Sequence, residues 1–90
     1  MPCALDFSET AAEDLQRLLD SLPLSRQERA LIEIEAACRT LANNPPSRSF
    51  GTFPLTFEVD GVHYYWAGTY RLNLDQTKLT VTHVFRRPPL

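Results

Sequence analysis

The sequence predicts a two-layer α+β domain: an N-terminal strand, then an antiparallel helical hairpin packed on a four-strand antiparallel meander (β-α-α-β-β-β-β). Three observations carry this expectation. Apolar residues in the first half recur at helical spacing, those in the second half alternate with period two, and Asn43-Asn44-Pro45-Pro46-Ser47 separates the halves. At 90 residues the chain has room for one core, so residues 1–90 are expected to form one domain, with helices over about 10–43 and sheet over about 50–87.

Each element has its own signal. Cys3, Leu5 and Phe7 alternate with Ala4, Asp6 and Ser8, as in a short half-buried strand. Thr10 and Glu13 have capping-box spacing, and Ala11, Leu15, Leu18, Leu19 and Leu22 form one helical stripe after them. Pro23 cannot continue that helix. A second capping box, Ser25 to Glu28, opens the next helix, whose stripe is Leu31, Ile34, Cys38 and Leu41 flanked by Ala30 and Ala37. So short a connection makes the helices an antiparallel hairpin.

In the second half Phe53, Leu55, Phe57 and Val59 face one way, and Thr52, Pro54, Thr56 and Glu58 the other. Asp60-Gly61 is a type I′ hairpin signal. It pairs Val59 with Val62, Glu58 with His63, Phe57 with Tyr64 and Leu55 with Trp66, which sets apolar residues opposite one another. A further turn is expected at Ala67-Gly68-Thr69, opposing Trp66 to Tyr70 and Tyr64 to Leu72 and bringing Tyr65 beside Arg71. A last turn over Asp75 to Lys78 brings Leu74 opposite Leu79 and Leu72 opposite Val81. The face turned to the helices is then Leu55, Phe57, Val59, Val62, Tyr64, Trp66, Tyr70, Leu72, Leu74, Leu79, Val81 and Phe85. His83 falls on that face by the same alternation, opposite Tyr70, unless a bulge near Val84 turns it outward.

Composition excludes several function classes. No apolar run approaches the roughly 20 residues that span a bilayer, and acidic residues interrupt any leader-like stretch near the N-terminus, so the expected location is the cytoplasm. Cys3 and Cys38 lack metal-ligand and redox spacing and read as small buried hydrophobes. There is no phosphate-cradling glycine loop, no HExxH and no Gly-x-Ser-x-Gly, so neither a metal nor a nucleotide cofactor is expected. The formal charge is −2. It divides into four basic against eight acidic residues over 1–42 and five against three over 43–90. A nucleic-acid binder carries a clear basic surplus, which this chain lacks.

Chemistry is left to the sheet face turned away from the helices. Alternation places Thr56, Glu58, His63, Tyr65, Arg71, Asn73, Thr80, Thr82 and Arg86 there. A carboxylate, an imidazole, a phenol and guanidinium groups on one surface can serve as acid, base and oxyanion stabiliser. Arg71 and Arg86 have the forked geometry that holds a phosphate, and Tyr65 can stack on an unpaired base. The same residues also suit an ordinary solvated sheet face, with Glu58 and His63 as a surface ion pair of small value. Arg86-Arg87-Pro88-Pro89 reads as a basic end where proline stops further pairing.

Three stretches together resemble the RelE/ParE toxin superfamily of bacterial toxin–antitoxin systems. "ALDFSETAAEDLQRLLDSLP" is similar to the family's opening strand and first helix, and "IEAACRTLANNP" to its second helix and the break after it. "GTYRLNLDQTKLTVTHVFRR" is similar to its central strands, with a Tyr-Arg pair opening one and a basic pair ending the last. The resemblance implies a small toxin held inactive by a cognate antitoxin. In one branch it implies metal-independent cleavage of messenger RNA on the ribosome, the 2′-hydroxyl attacking the adjacent phosphate; in the other, action on DNA gyrase with no bond cut. Arg71 matches the family's strand arginine and Arg86 the terminal one; His83, Tyr65 and Glu58 join them as catalytic candidates by surface logic. The chain departs from the RNA-cleaving branch in its acidic balance, its single lysine, and Tyr64-Tyr65-Trp66 where an arginine is usual. Phosphate contacts dominate affinity for nucleic acid. The leading expectation is therefore a toxin-like protein working through a protein partner, with a non-catalytic interaction module of the same fold and an active endoribonuclease as alternatives.

Overall fold

A computed structural model describes residues 2–87. Its elements are β1 (Ala4–Phe7), α1 (Glu9–Asp20), α2 (Leu24–Asn43), β2 (Phe50–Val59), β3 (Val62–Leu72) and β4 (Lys78–Arg86). The α+β class and the helical hairpin over the sheet are as the patterning implies. The sheet order is β1-β4-β3-β2, with β2, β3 and β4 antiparallel in turn and β1 parallel to β4, so the sheet is mixed. The meander has three strands, and β1 supplies the fourth.

Both helix starts differ from the capping boxes. Ser8, not Thr10, is the N-cap of α1: its extended backbone turns the chain into the helix and its hydroxyl accepts from the Ala11 amide at 3.1 Å. Pro23 stands at the N-cap of α2 without a side-chain bond, so Ser25 lies inside the helix. Proline suits that place because an amide in the first turn has no helical partner to lose. The buried stripes are Ala11, Leu15, Leu19 and Leu22 from the first helix and its exit, and Ala30, Ile34, Cys38 and Ala42 from the second. α1 lies against β4 and α2 against β2.

The Asp60-Gly61 hairpin forms as the sequence implies. Both residues have positive φ, 53° and 79°, as type I′ requires, and all four expected β2–β3 pairs occur in register. The expected turn at Ala67-Gly68-Thr69 does not. β3 runs straight through it, and Phe53 lies opposite Gly68 with its ring over the space a side chain would fill. Glycine inside a strand here marks a close approach rather than a turn. Trp66 opposes Leu55 and Arg86, Tyr64 opposes Phe57, and Tyr70 opposes Gly51 and Val81, so Trp66/Tyr70 and Tyr64/Leu72 are not pairs.

The β3–β4 connection is organised by Asn73, whose side-chain oxygen accepts from the amides of Thr77 at 2.8 Å and Lys78 at 3.1 Å. Leu72 therefore pairs with Leu79, and Leu74 is fully exposed instead of joining the core. Further along, Thr69 pairs with His83 while Tyr70 pairs with Val81, leaving Thr82 as the extra residue of a bulge. Beyond it the faces exchange. Val84 is buried, and His83 and Phe85 are exposed, contrary to unbroken alternation. His83 thus faces away from the helices and opposes Thr69, not Tyr70.

The core lies between the layers, with Ile34, Leu55, Leu79, Val81, Val84 and Cys38 completely enclosed. Val62 at the hairpin end is 37% exposed, so it sits at the rim of the face assigned to it. Phe57, Tyr64 and Trp66 close one end as an aromatic cluster: the Phe57 ring is 5.1 Å from both others, stacked on Tyr64 and edge-on to Trp66. Arg26 of α2 donates to the Tyr64 hydroxyl at 3.0 Å and lies 3.6 Å from the Asp60 carboxylate, tying the helix start to the hairpin tip.

Candidate functional site

The expected site residues divide between three places. Glu58 and His63 oppose each other on the outer face, with Oε2 and Nε2 4.0 Å apart and both side chains more than half exposed. Tyr65 is next along on that face, opposite Thr56 and 59% exposed. Arg71 lies on the same strand six residues further, opposite Thr80 and Phe50. At ~3.3 Å per residue that places Arg71 about 20 Å from Tyr65, so the two are not neighbours.

His83 stands between these ends. The bulge turns it outward, and its Nδ1 is 3.2 Å from the Thr69 hydroxyl, which is itself 2.6 Å from the Thr82 hydroxyl. Thr69 and Arg71 share the outer face of β3, so His83 and Arg71 belong to one stretch of that surface.

Arg86 is on the other side of the sheet. The exchange of faces after Thr82 carries it towards the helices, where its guanidinium donates to the Ser21 hydroxyl at the end of α1. The outer-face position given to Arg86 by alternation is thereby corrected. The five candidates do not converge on one point.

A single concavity of about 810 Å³ nevertheless gathers part of the set. It lies beside the end of β4, where β3 continues towards the hairpin tip paired with β2. Leu22 and Pro23 from the turn between the helices, with Tyr64 and Trp66, give it apolar walls. Tyr65, His63, Thr56 and Ser21 add polar groups, and Arg86 and Arg87 line it as cations. Glu58 borders a smaller recess of about 220 Å³ beside it, shared with His63 and Tyr65. Arg71 and His83 line neither.

His63 and Arg87 line this concavity without being among the five catalytic candidates. Alternation places His63 on the outer face as the partner of Glu58, and Arg87 belongs to the basic end. Their signal is positional: Arg87 donates its amide to the Tyr65 carbonyl at 2.9 Å, the last bond between β3 and the β4 line among the described residues. Pro88 and Pro89, expected to stop further pairing, lie outside the described residues.

Neither cysteine suits nucleophilic work. Burial pushes the Cys38 thiol up to about 12, with Glu35 nearby adding to the shift, so the thiolate is suppressed. The buried Cys3 thiol donates to the Gln76 carbonyl. Among the described residues no three His, Cys, Asp or Glu side chains are placed to hold a metal ion, and no helix is long and apolar enough to cross a membrane.

Comparison of the whole fold with solved structures is decisive about architecture. The toxin–antitoxin complex RelBE2 of Mycobacterium tuberculosis contains a chain that matches with a TM-score of 0.54 at 19% identity, covering 97% of this chain and 100% of that one. The chain has the fold of the RelE toxins. A mutant of the E. coli toxin RelE in the free state matches with a TM-score of 0.53 at 14% identity, over 96% of this chain and 84% of that one. The archaeal RelE–RelB complex from Pyrococcus horikoshii OT3 gives 0.50 at 16% identity over the full length of both chains. No protein-family model matches the sequence, and no curated protein matches it. The RelE fold is thus retained at an identity that carries no residue roles with it.

Proposed function

We propose that this chain is a RelE-like toxin component of a toxin–antitoxin pair, held inactive by a cognate antitoxin in the cytoplasm, and that it acts through a protein partner. The observation carrying this reading is the dispersal of the cationic candidates. Arg71 lies about 20 Å along β3 from Tyr65, and Arg86 faces the helices. One phosphodiester cannot meet both arginines, as a shared catalytic role would require. The overall charge of −2 points the same way, because a chain working on ribosome-bound RNA depends on a basic surface. An apolar concavity with a cationic rim suits a protein segment better.

A second reading, metal-independent cleavage of messenger RNA, has one observation in its favour. His63, Tyr65, Arg86 and Arg87 line the same notch. There an imidazole could take the 2′-hydroxyl proton, the guanidiniums could stabilise the charge developing on phosphate, and the phenol could stack on a base.

Inducible expression of the chain alone in bacteria, with transcripts mapped by primer extension, separates these readings. Growth arrest with intact messenger RNA, relieved by the product of a neighbouring small open reading frame, is the expected result. Arrest should persist in Arg71→Ala. Transcript cleavage that disappears in His63→Ala would establish the nuclease instead, and unaffected growth would leave a non-catalytic interaction module.

A further inference from the structure

We propose that β4 beyond Val81 is a two-register strand, and that Ser8 and Asp14 hold it in the bulged register, so that the start of α1 decides which side chains of β4 the outer face presents.

The bonding of β4 changes phase along its length. At its start the Lys78 carbonyl accepts from the Asn73 amide on the β3 side, and the Val81 carbonyl accepts from the Ser8 amide on the β1 side. Even residues there bond to β3 and odd ones face β1. At the other end the Arg87 amide donates to Tyr65 of β3, so the odd residues now bond to β3. The change falls at Thr82, the extra residue of the bulge. It turns the Thr82 carbonyl and the Val84 amide away from β3, where the start of α1 satisfies both. The Ser8 hydroxyl donates to the first at 3.0 Å, and Oδ2 of Asp14 accepts from the second at 3.2 Å. The other Asp14 oxygen accepts from Arg17 at 2.7 Å, which fixes the aim of a side chain only 14% exposed. A regular ladder continuing from the Tyr70–Val81 pair would set Thr82 against Thr69, His83 against Gly68 and Val84 against Ala67. It would give the Thr82 carbonyl and the Val84 amide to β3. Both contacts from α1 therefore exist in one register only, and a contact made in one state alone shifts the balance towards that state.

A slip of one residue exchanges the two faces. In the bulged register Val84 is buried, while His83 and Phe85 point outward and the Thr69 hydroxyl lies 3.2 Å from Nδ1 of His83. In the regular register His83 and Phe85 would turn towards the helices, and Val84 and Arg86 outward, with Arg86 opposite Tyr65. Each register puts one apolar side chain of the Val84-Phe85 pair inside and leaves the other out, and Phe85 is 40% exposed where it stands. Apolar patterning thus does not select a register here; the contacts with α1 do. Lifting the start of α1 from β4 would exchange His83 for Arg86 on the outer face, a discrete shift of one element driven from the opposite layer.

Nuclear Overhauser contacts between Hα atoms in the isotope-labelled full chain read the register directly, because they are shortest in antiparallel pairs that exchange no backbone bonds. Gly68 with Val84 and Trp66 with Arg86 mark the bulged register; Gly68 with His83 and Trp66 with Phe85 mark the regular one. The parent chain should show the first set alone. Asp14→Ala keeps the Ser8 cap and should show both sets, with the regular register reaching about a tenth of the molecules. Adding Ser8→Ala should raise that share. Asp14→Asn retains an acceptor for the Val84 amide and should return the spectrum to the parent's set. A folded Asp14→Ala chain showing the first set alone would overturn the proposal, and so would an Asn variant that shifts as far as the Ala variant. Should the double variant fail to fold, Asp14→Ala and Asp14→Asn decide the matter between them.

Discussion

An ideal Cβ on Gly68 would stand 2.7 Å from Cζ of Phe53 and 3.2 Å from the His83 carbonyl oxygen. The Phe53 ring cannot retreat cheaply, since it is buried and packs 6.2 Å from the Tyr70 ring. Gly68→Ala is therefore expected to destabilise the protein by about 1–3 kcal/mol, the usual range for overpacking. Phe53→Leu in the same chain should recover part of that loss, because the clash is with the far end of the ring. Urea unfolding of the two single variants and the double variant measures the coupling. Additive losses would mean that Phe53 does not cover Gly68. This residue also explains the turn expected at Ala67-Gly68-Thr69 and absent from the strand: a glycine beside alanine and threonine looks the same in sequence whether the chain turns there or a ring lies over it.

The bulge on β4 and the start of α1 are joined through Ser8. Its hydroxyl accepts from the Ala11 amide as the helix cap and donates to the carbonyl of Thr82, the extra residue of the bulge, at 3.0 Å. The Asp14 carboxylate accepts from the Val84 amide at 3.2 Å on the far side of the same bulge. Ser8→Ala should consequently cost about 1–2 kcal/mol, towards the upper end for a lost cap, because a backbone carbonyl loses its donor as well. Thr10→Ala should change stability by less than about 0.5 kcal/mol, as expected of a helical surface position away from such contacts. Thermal unfolding of both variants decides between Ser8 and Thr10 as the cap. In sequence both hydroxyls precede the same apolar stripe, and only the approach of β4 selects Ser8. Nor does local pattern reveal the bulge, since Thr82-His83-Val84 alternates acceptably in either phase. That one extra residue accounts for the faces on which His83, Phe85 and Arg86 are found, each opposite to unbroken alternation.

At the scale of the whole molecule, side-chain parity was legible and connectivity was not. An odd three-residue turn and an uninterrupted strand leave Trp66, Tyr70 and Leu72 on the same face, so these three are buried although the strand count differs. Pairing of β1 with β4 is a long-range choice that the alternation of Leu5 and Phe7 does not encode. The resulting order leaves β2 as a ten-residue outer strand, long enough to pair with another copy. Pro54 interrupts it. Because Val59 bonds to Val62, odd residues of β2 bond inward and even ones direct their backbone groups to the open side, so Pro54 removes a donor from that edge without costing the β2–β3 ladder a bond. Pro54→Thr restores the donor and adds a residue suited to strands. Sedimentation of the variant across a concentration series should show association that the parent chain lacks at the same concentrations, with the monomer fold unchanged by circular dichroism. An unchanged monomer would show that strand twist or side-chain charge, rather than Pro54, guards the edge.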